Sequence, residues 1–246
     1  RWLETLRGSF DIPPLAIHSS NDFPTSAGLA SSASGFAALI TAINAHCELG
    51  LDHAMCSEWA RVGSASAARS IFGGFVALVP PKWWAVPMAK KEHWPLEVVV
   101  AVTSTEAKGV SSGEGMERSR LTSPYYNAWL RDAAADFTTT SDAISSKDFA
   151  ALGAVAELSC LKMHSVMLTS RPTLSYWTPA SITCMDRVRD LRAEGHDVFF
   201  TVDAGPQIKA VCLPSSANAV AEALSKTPGV INVIRSTLGD GARVLE

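Results

Sequence analysis

Three short constellations in this 246-residue chain combine residue types and spacings that could do chemistry. The first, Pro24-Thr25-Ser26-Ala27-Gly28-Leu29-Ala30, runs into Ser31-Ser32-Ala33-Ser34-Gly35. Small side chains let an anion approach the backbone, and the N–H groups and dipole at a helix start attract phosphate. A tightly packed Ala/Ser helix start with serine capping accounts for the same composition. The second, Gly63-Ser64-Ala65-Ser66-Ala67-Ala68-Arg69, places two hydroxyls and a guanidinium within two turns. Arginine holds a planar carboxylate or phosphate through paired donors that lysine cannot reproduce, and a surface arginine after a helix cap is the plainer alternative. The third is Asp203, which ends the apolar run Val198-Phe199-Phe200-Thr201-Val202 and precedes Ala204-Gly205-Pro206. A carboxylate leaving a buried strand can be partly desolvated and poised as a base, although turns favour Asp on their own account.

Other chemistries find less support. The loop is neither G-x-x-x-x-G-K-[ST] nor G-x-G-x-x-G, the six histidines show no H-E-x-x-H or Cys/His spacing, and no G-x-S-x-G elbow is present. Zinc chemistry and serine hydrolysis are therefore disfavoured. Asp186 and Asp190, one turn apart beside Arg187 and Arg189, read as a solvated charged face, and Trp83, Trp84 and Trp94 as edge-loop packing. With 21 basic and 24 acidic residues the net charge is −3, which gives no electrostatic footprint for nucleic acid or an anionic membrane. Apolar runs such as Val98–Val102 fall short of the ~20 residues that span a bilayer, and no secretory signal opens the chain. Five widely spaced cysteines without a C-x-x-C pair fit buried, reduced thiols. The expectation is a cytoplasmic protein with neither nucleic acid nor membrane as a partner.

The elements that must position these residues follow from periodicity and breakers. Residues 1–7 read as the last turns of an amphipathic helix, with something upstream absent from the chain, and 15–20 as a short strand. Phe36, Leu39, Ile40 and Ile43 set a helix after the small-residue loop, and a second helix covers about 52–62. A strand is expected over 71–79, entered through Gly73-Gly74, then a loop or edge hairpin over 80–94 punctuated by prolines, then a buried strand over 97–104. From 112 to about 164 the pattern is helical, with Leu130, Ala134 and Phe137 as one apolar face and Phe149, Leu152, Val155 and Leu158 as another. A helix over 181–194, strands over 197–202 and 208–213, a helix over 218–226 and a strand over 230–235 close the chain. Partial segregation of helices and strands favours α+β.

The three constellations, taken in order, closely resemble the diphosphomevalonate decarboxylase family of the GHMP kinase superfamily. The likeness extends through Gly73-Gly74, Lys108 to Met116 and Lys162-Met163-His164-Ser165-Val166-Met167, and so covers nearly the whole chain. It implies an α+β GHMP kinase fold. Residues 1–104 would form an incomplete N-terminal nucleotide-binding half, lacking an upstream strand-rich segment that carries a Tyr and a Lys, and 105–246 a C-terminal ferredoxin-like half.

The resemblance further implies ATP-dependent decarboxylation of mevalonate 5-diphosphate to isopentenyl diphosphate, with Mg²⁺ and by way of phosphorylation at the 3-hydroxyl. Asp203 would be the base, since a tertiary alkoxide is hard to form, and Arg69 the partner of the departing carboxylate. Gly28, Leu29, Ala30, Ser31, Ser32 and Ser34 would bind ATP, with Ser32 near the phosphates and Mg²⁺. Ser64, Ala65, Ser66, Arg69, Ser112 and Met116 would bind substrate, the last two beside its diphosphate end. A homodimer is expected. A monophosphate-specific decarboxylase or mevalonate 3-kinase of the same superfamily is one alternative, and a non-catalytic ATP-binding fragment another.

Overall fold

The computed structural model describes residues 1–25, 27–106 and 108–245; Ser26 of the small-residue loop, Ala107 near the expected domain boundary and Glu246 lie outside them. The chain divides into two units. One holds residues 1–25, 30–93 and 238–245, and the other residues 27–29 and 94–237.

In the first unit α1 (Trp2–Arg7), α2 (Ser31–His46), α3 (His53–Gly63) and α4 (Ala67–Ser70) precede the hairpin β1 (Phe75–Val79) and β2 (Trp84–Ala89). Ala37, Ile40 and Ile43 form the apolar stripe of α2 and meet Leu6, Leu51, Cys56, Ala60 and Ile71 in one core. Helix α3 starts where Asp52 accepts the Met55 N–H at 2.8 Å, satisfying a donor that the helix cannot. Asn44 holds Leu51 at both its N–H and its carbonyl, each at 2.9 Å, which fixes the short connection between α2 and α3. Gly63 closes α3 against the ring of Phe36, where a Cβ would collide. Residues 238–245 return to this unit through Gly74 N–H to Gly239 C=O at 3.0 Å and Ala242 N–H to Ser70 C=O at 3.1 Å.

The segment 15–20, expected as a strand, has no regular structure, and Ile17 is exposed. Alternation alone does not make a strand; a ladder partner must complete its hydrogen bonds, and none pairs with it among the described residues. The strand expected from residue 71 begins at Phe75, because Ala67–Ser70 and the turn after it take 67–72. The segment 80–94 does supply the edge hairpin, with Phe75 opposite Ala89 and Val79 opposite Trp84.

The second unit comprises β3 (Glu97–Val102), α5 (Ser112–Thr122), α6 (Tyr126–Ser146), α7 (Phe149–Leu168), α8 (Pro179–Ala193), β4 (Val198–Thr201), β5 (Ile208–Cys212), α9 (Ala217–Ser225) and β6 (Asn232–Thr237). Its sheet is antiparallel in the order β4-β5-β3-β6, which is the split βαβ arrangement of a ferredoxin-like fold. Val99, Ala101, Phe200, Ile208 and Ala210 from the sheet pack with Cys184, Val188 and Leu191 of α8 and Val220 and Leu224 of α9. Helix α7 is long and apolar enough to cross a membrane by length and composition. It is a core helix here: Leu152, Val155, Cys160, Val166 and Met167 are buried, and Gly153 lets the ring of Phe199 approach closely. The expected apolar face of α6 is not buried. Leu130 and Phe137 are 51% and 43% exposed, while α6 fastens to α7 through Asp136 and Lys162 at 3.0 Å.

Within this unit the turn after β4 crosses Gly28. That glycine has φ +86°, and a Cβ on it would lie 2.5 Å from Gly205 Cα; a Cβ on Gly205 would strike Gly28 and lie 2.9 Å from the Ala27 carbonyl. Two backbones touch where no side chain fits. Gly205→Ala is expected to destabilise the chain by ~1–3 kcal/mol, read as a lower urea midpoint at unchanged m-value. The thiols offer a second check. Cys160, Cys184 and Cys212 are buried, and burial pushes each thiol up to about 11. In a native-state disulfide-exchange assay at pH 8, half-buried Cys47 reacts first and Cys56, Cys160, Cys184 and Cys212 only on unfolding.

Candidate functional site

In the second unit, Val198, Phe199 and Phe200 of β4 are buried and Val202 after it is 1% exposed, yet the side chain of the next residue, Asp203, is 54% exposed. The chain turns there, Gly205 N–H reaching back to the Asp203 carbonyl at 2.7 Å. Lys209, opposite Thr201 in the β4–β5 register, pairs with Asp203 Oδ2 at 2.8 Å. Its Nζ also donates to the Gly28 carbonyl at 2.9 Å. The base candidate and Gly28 of the small-residue loop therefore share one ammonium.

Lys108 donates to the Ala204 carbonyl at 2.9 Å and to Ser112 Oγ at 2.5 Å, so Ser112 and the Asp203 turn are brought together through it. Burial pushes the Lys108 amine below its ordinary value; the Asp203 carboxylate opposes that shift and the Lys209 ammonium adds to it. Ser112 opens α5, whose cap Ser111 accepts the Glu114 N–H at 3.2 Å. Tyr176 locks the approach to that helix through its hydroxyl, which donates to the carbonyls of Val110 and Ser111 at 3.1 and 3.3 Å. Gly115 packs against Tyr176 and Leu174, and Met116, the next residue, is 64% exposed.

In the first unit the hydroxyls of Ser32, Ser64 and Ser66 form a chain with successive Oγ–Oγ distances of 3.1 Å. Ser32 lies in the first turn of α2, Ser64 ends α3 and Ser66 caps α4, so three helix termini converge on one row of hydroxyls. Ala30 holds the left-handed conformation at the start of α2, with φ 54°. Ser31 begins the helix, and Ser34 turns its hydroxyl back to the Ser31 carbonyl at 3.1 Å, away from that row. Ala65 is exposed on the bend between Ser64 and Ser66, and Arg69 is exposed on α4. Gly28 is buried and Leu29 half-buried in the second unit.

Lys209 was not singled out in the sequence, although it is the charged residue in the otherwise apolar strand Ile208–Cys212. Lys108 was noticed only as part of a Ser/Gly-rich stretch. Neither spacing points to Asp203, since the contacts run between residues 6 and 96 positions apart. Among the described residues no three His, Cys, Asp or Glu side chains gather as a metal cluster. A cleft of about 320 Å³ lined by Thr183, Asp186, Arg187, Asp190 and Lys226 contains none of the candidate residues. Several of its charges are paired already, Asp186 with Arg189, Arg187 with Glu194 and Lys226 with Glu222.

Comparison with known proteins places both units. Residues 2–82 match the family described as diphosphomevalonate decarboxylase-like N-terminal domain, and residues 98–242 the mevalonate 5-diphosphate decarboxylase C-terminal domain. Diphosphomevalonate decarboxylase of Ganoderma lucidum is 37% identical over 204 residues, 77% of this chain and 51% of that protein. The Staphylococcus aureus mevalonate diphosphate decarboxylase structure superimposes with a TM-score of 0.82 at 34% identity, covering 91% of this chain and 69% of that one. A structure described as a complex with MVAPP, AMPPCP and magnesium gives 0.79 at 37% identity, covering 89% and 68%. The chain spans 51% and 61% of the length of two curated relatives, those of Ganoderma lucidum and Candida albicans. Matches to both domain families, the second alone across more than half of the chain, establish that it belongs to the diphosphomevalonate decarboxylase family.

Proposed function

We propose that the chain carries out ATP-dependent decarboxylation of mevalonate 5-diphosphate, with Asp203 as the base. The observation that carries this reading is the half-exposed Asp203 carboxylate at the end of a buried strand, held by Lys209. Bound to an ion pair on one oxygen, it keeps the other for the proton of the substrate's 3-hydroxyl. As that proton leaves, the hydroxyl oxygen takes the terminal phosphoryl group of ATP. Loss of phosphate then draws the electron pair of the carbon–carboxylate bond into the new double bond, releasing CO2.

Arg69 is suited to the substrate carboxylate by its paired planar donors. The hydroxyl row of Ser32, Ser64 and Ser66 offers donors to phosphate and substrate oxygens, reinforced by the first turn of α2. Lys108 and Ser112 would meet anionic substrate oxygens beside Asp203, a reading supported by the bonds of Lys108 to Ser112 and to the Ala204 carbonyl. Magnesium supplies charge neutralisation on the phosphates. Without an acidic cluster among the described residues, it would be held mainly by phosphate oxygens with a hydroxyl such as Ser32. The division of labour we propose gives ATP to residues up to about 104 and the base to the remainder. We further propose a homodimeric, cytoplasmic enzyme, the second in keeping with its free cysteines.

The test offers ATP, Mg²⁺ and mevalonate 5-diphosphate, its 5-phosphate or mevalonate, and measures ADP and CO2 together. With the diphosphate, both products are expected in equal amounts. ADP without CO2 would instead mean a 3-kinase, and turnover of the monophosphate alone the related decarboxylase. Asp203→Asn is expected to lower kcat by about 10²–10⁴-fold, the usual worth of a positioned base. Arg69→Lys keeps the charge but loses the paired geometry, and is expected to lower kcat/KM about 10- to 100-fold.

A further inference from the structure

We infer that Cys160 and His164, one turn apart on α7, are positioning residues that clamp the amide and the carbonyl of Val202, the residue before Asp203, and so set where the Asp203 carboxylate stands; this rests on Asp203 being the base. Strand β4 is an edge strand, and its ladder with β5 ends at Thr201. Val202, one residue further on and buried, needs partners for its amide and carbonyl that the sheet does not supply. Helix α7 supplies them. Val202 N–H donates to Cys160 Sγ at 3.2 Å, Cys160 Sγ–H reaches the Val202 carbonyl at 3.6 Å, and His164 Nε2 lies 3.0 Å from the same oxygen. A carbonyl only accepts, so Nε2 carries the proton in this bond.

The ring has no freedom to leave. His164 is 2% exposed and packs against Trp177 at 4.5 Å between ring centroids. Burial holds its imidazole below the ordinary histidine value, which favours the neutral donor. Other buried positions of this helix are filled by Leu152, Val155, Val166 and Met167. An imidazole there costs desolvation that its bond to Val202 offsets. Beyond Asp203 the turn is held as firmly, Ala204 by Lys108 and the Pro206 carbonyl by Ser181 Oγ at 2.7 Å and Thr103 Oγ1 at 3.0 Å. The carboxylate projects from a backbone gripped on both sides, and α7 is the upstream grip.

Edge protection is the competing role, and Glu157 on the same helix isolates it. Its carboxylate accepts the Phe200 N–H at 3.1 Å, two residues further from Asp203. The test compares His164→Leu, His164→Gln, Cys160→Val and Glu157→Ala in the 246-residue chain, by steady-state kinetics, thermal melting and amide hydrogen exchange. His164→Leu and Cys160→Val are expected to lower kcat by about 10- to 100-fold, the scale of a misplaced reacting group, with both KM values within about twofold. They should also speed exchange at 202–204. Glutamine carries an N–H near the place of Nε2, so His164→Gln recovers most of both readouts, whereas Glu157→Ala lowers the melting temperature and leaves kcat alone. Folded His164→Leu with wild-type kcat overturns the proposal, whatever its exchange or melting temperature, as does a loss of kcat by Glu157→Ala equal to that of His164→Leu. If the parent chain turns over nothing, the decarboxylase reading fails. Exchange then decides the clamp alone: local acceleration reversed by glutamine supports it, and no change at 202–204 overturns it.

Discussion

The ion pair between Asp203 and Lys209 is the contact around which the second unit is arranged. To serve as the base we propose, a carboxylate must be charged and reachable, while the strand that delivers it must be dry. The structure meets both demands by ending β4 one residue short of the turn and placing the ammonium on β5, the neighbouring strand. Lys209 is itself mostly covered and spends a second donor on the Gly28 carbonyl. The pair is thus fixed by backbone on two sides, unlike a surface ion pair between two mobile side chains.

Topology explains why so many polar groups reach that turn. Strands β3 and β4 both run antiparallel to β5, which lies between them. The exits of β3 and β4 and the entrance of β5 therefore share one edge of the sheet. Thr103, Ser104 and Lys108 follow β3, Asp203 follows β4, and Pro206, Gln207 and Lys209 lie at the start of β5. Gln207, fully buried, ties two of these segments by accepting the Thr103 N–H at 2.6 Å and donating to the Ser104 carbonyl at 2.5 Å. A buried amide satisfied at both ends specifies register as well as adding stability.

The first unit solves a different problem with small residues. Three helix termini can converge on one row of hydroxyls only if nothing bulky stands between them, and the run Gly63 to Ala68 contains nothing larger than serine. Each serine hydroxyl both donates and accepts, so the row is satisfied within itself and can still redirect its protons toward an anion. The core beneath, from Ala37 to Ile71, holds α2, α3 and α4 rigidly enough to keep those termini in place.

Much of this was legible in the order of the residues. Apolar periodicity located α2, α3, α7, α8 and the strands of the second unit, and the small-residue runs and Asp203 marked the segments to which we assign the proposed chemistry. The strand expected over 15–20 was misread and the apolar face of α6 lies largely open, because alternation and helical spacing report which face could be apolar, not whether anything covers it. Lys209, Lys108, Cys160 and His164 could not be tied to Asp203 by spacing, since hydrogen bonds and ion pairs act over a few ångströms while these residues stand between 6 and 95 positions away. The sequence by itself determined the family, the kinds of residue and the segments that bear them. Only the tertiary structure decided which cation neutralises the carboxylate and which helix grips its backbone, because both depend on distances that exist only once strands and helices have packed.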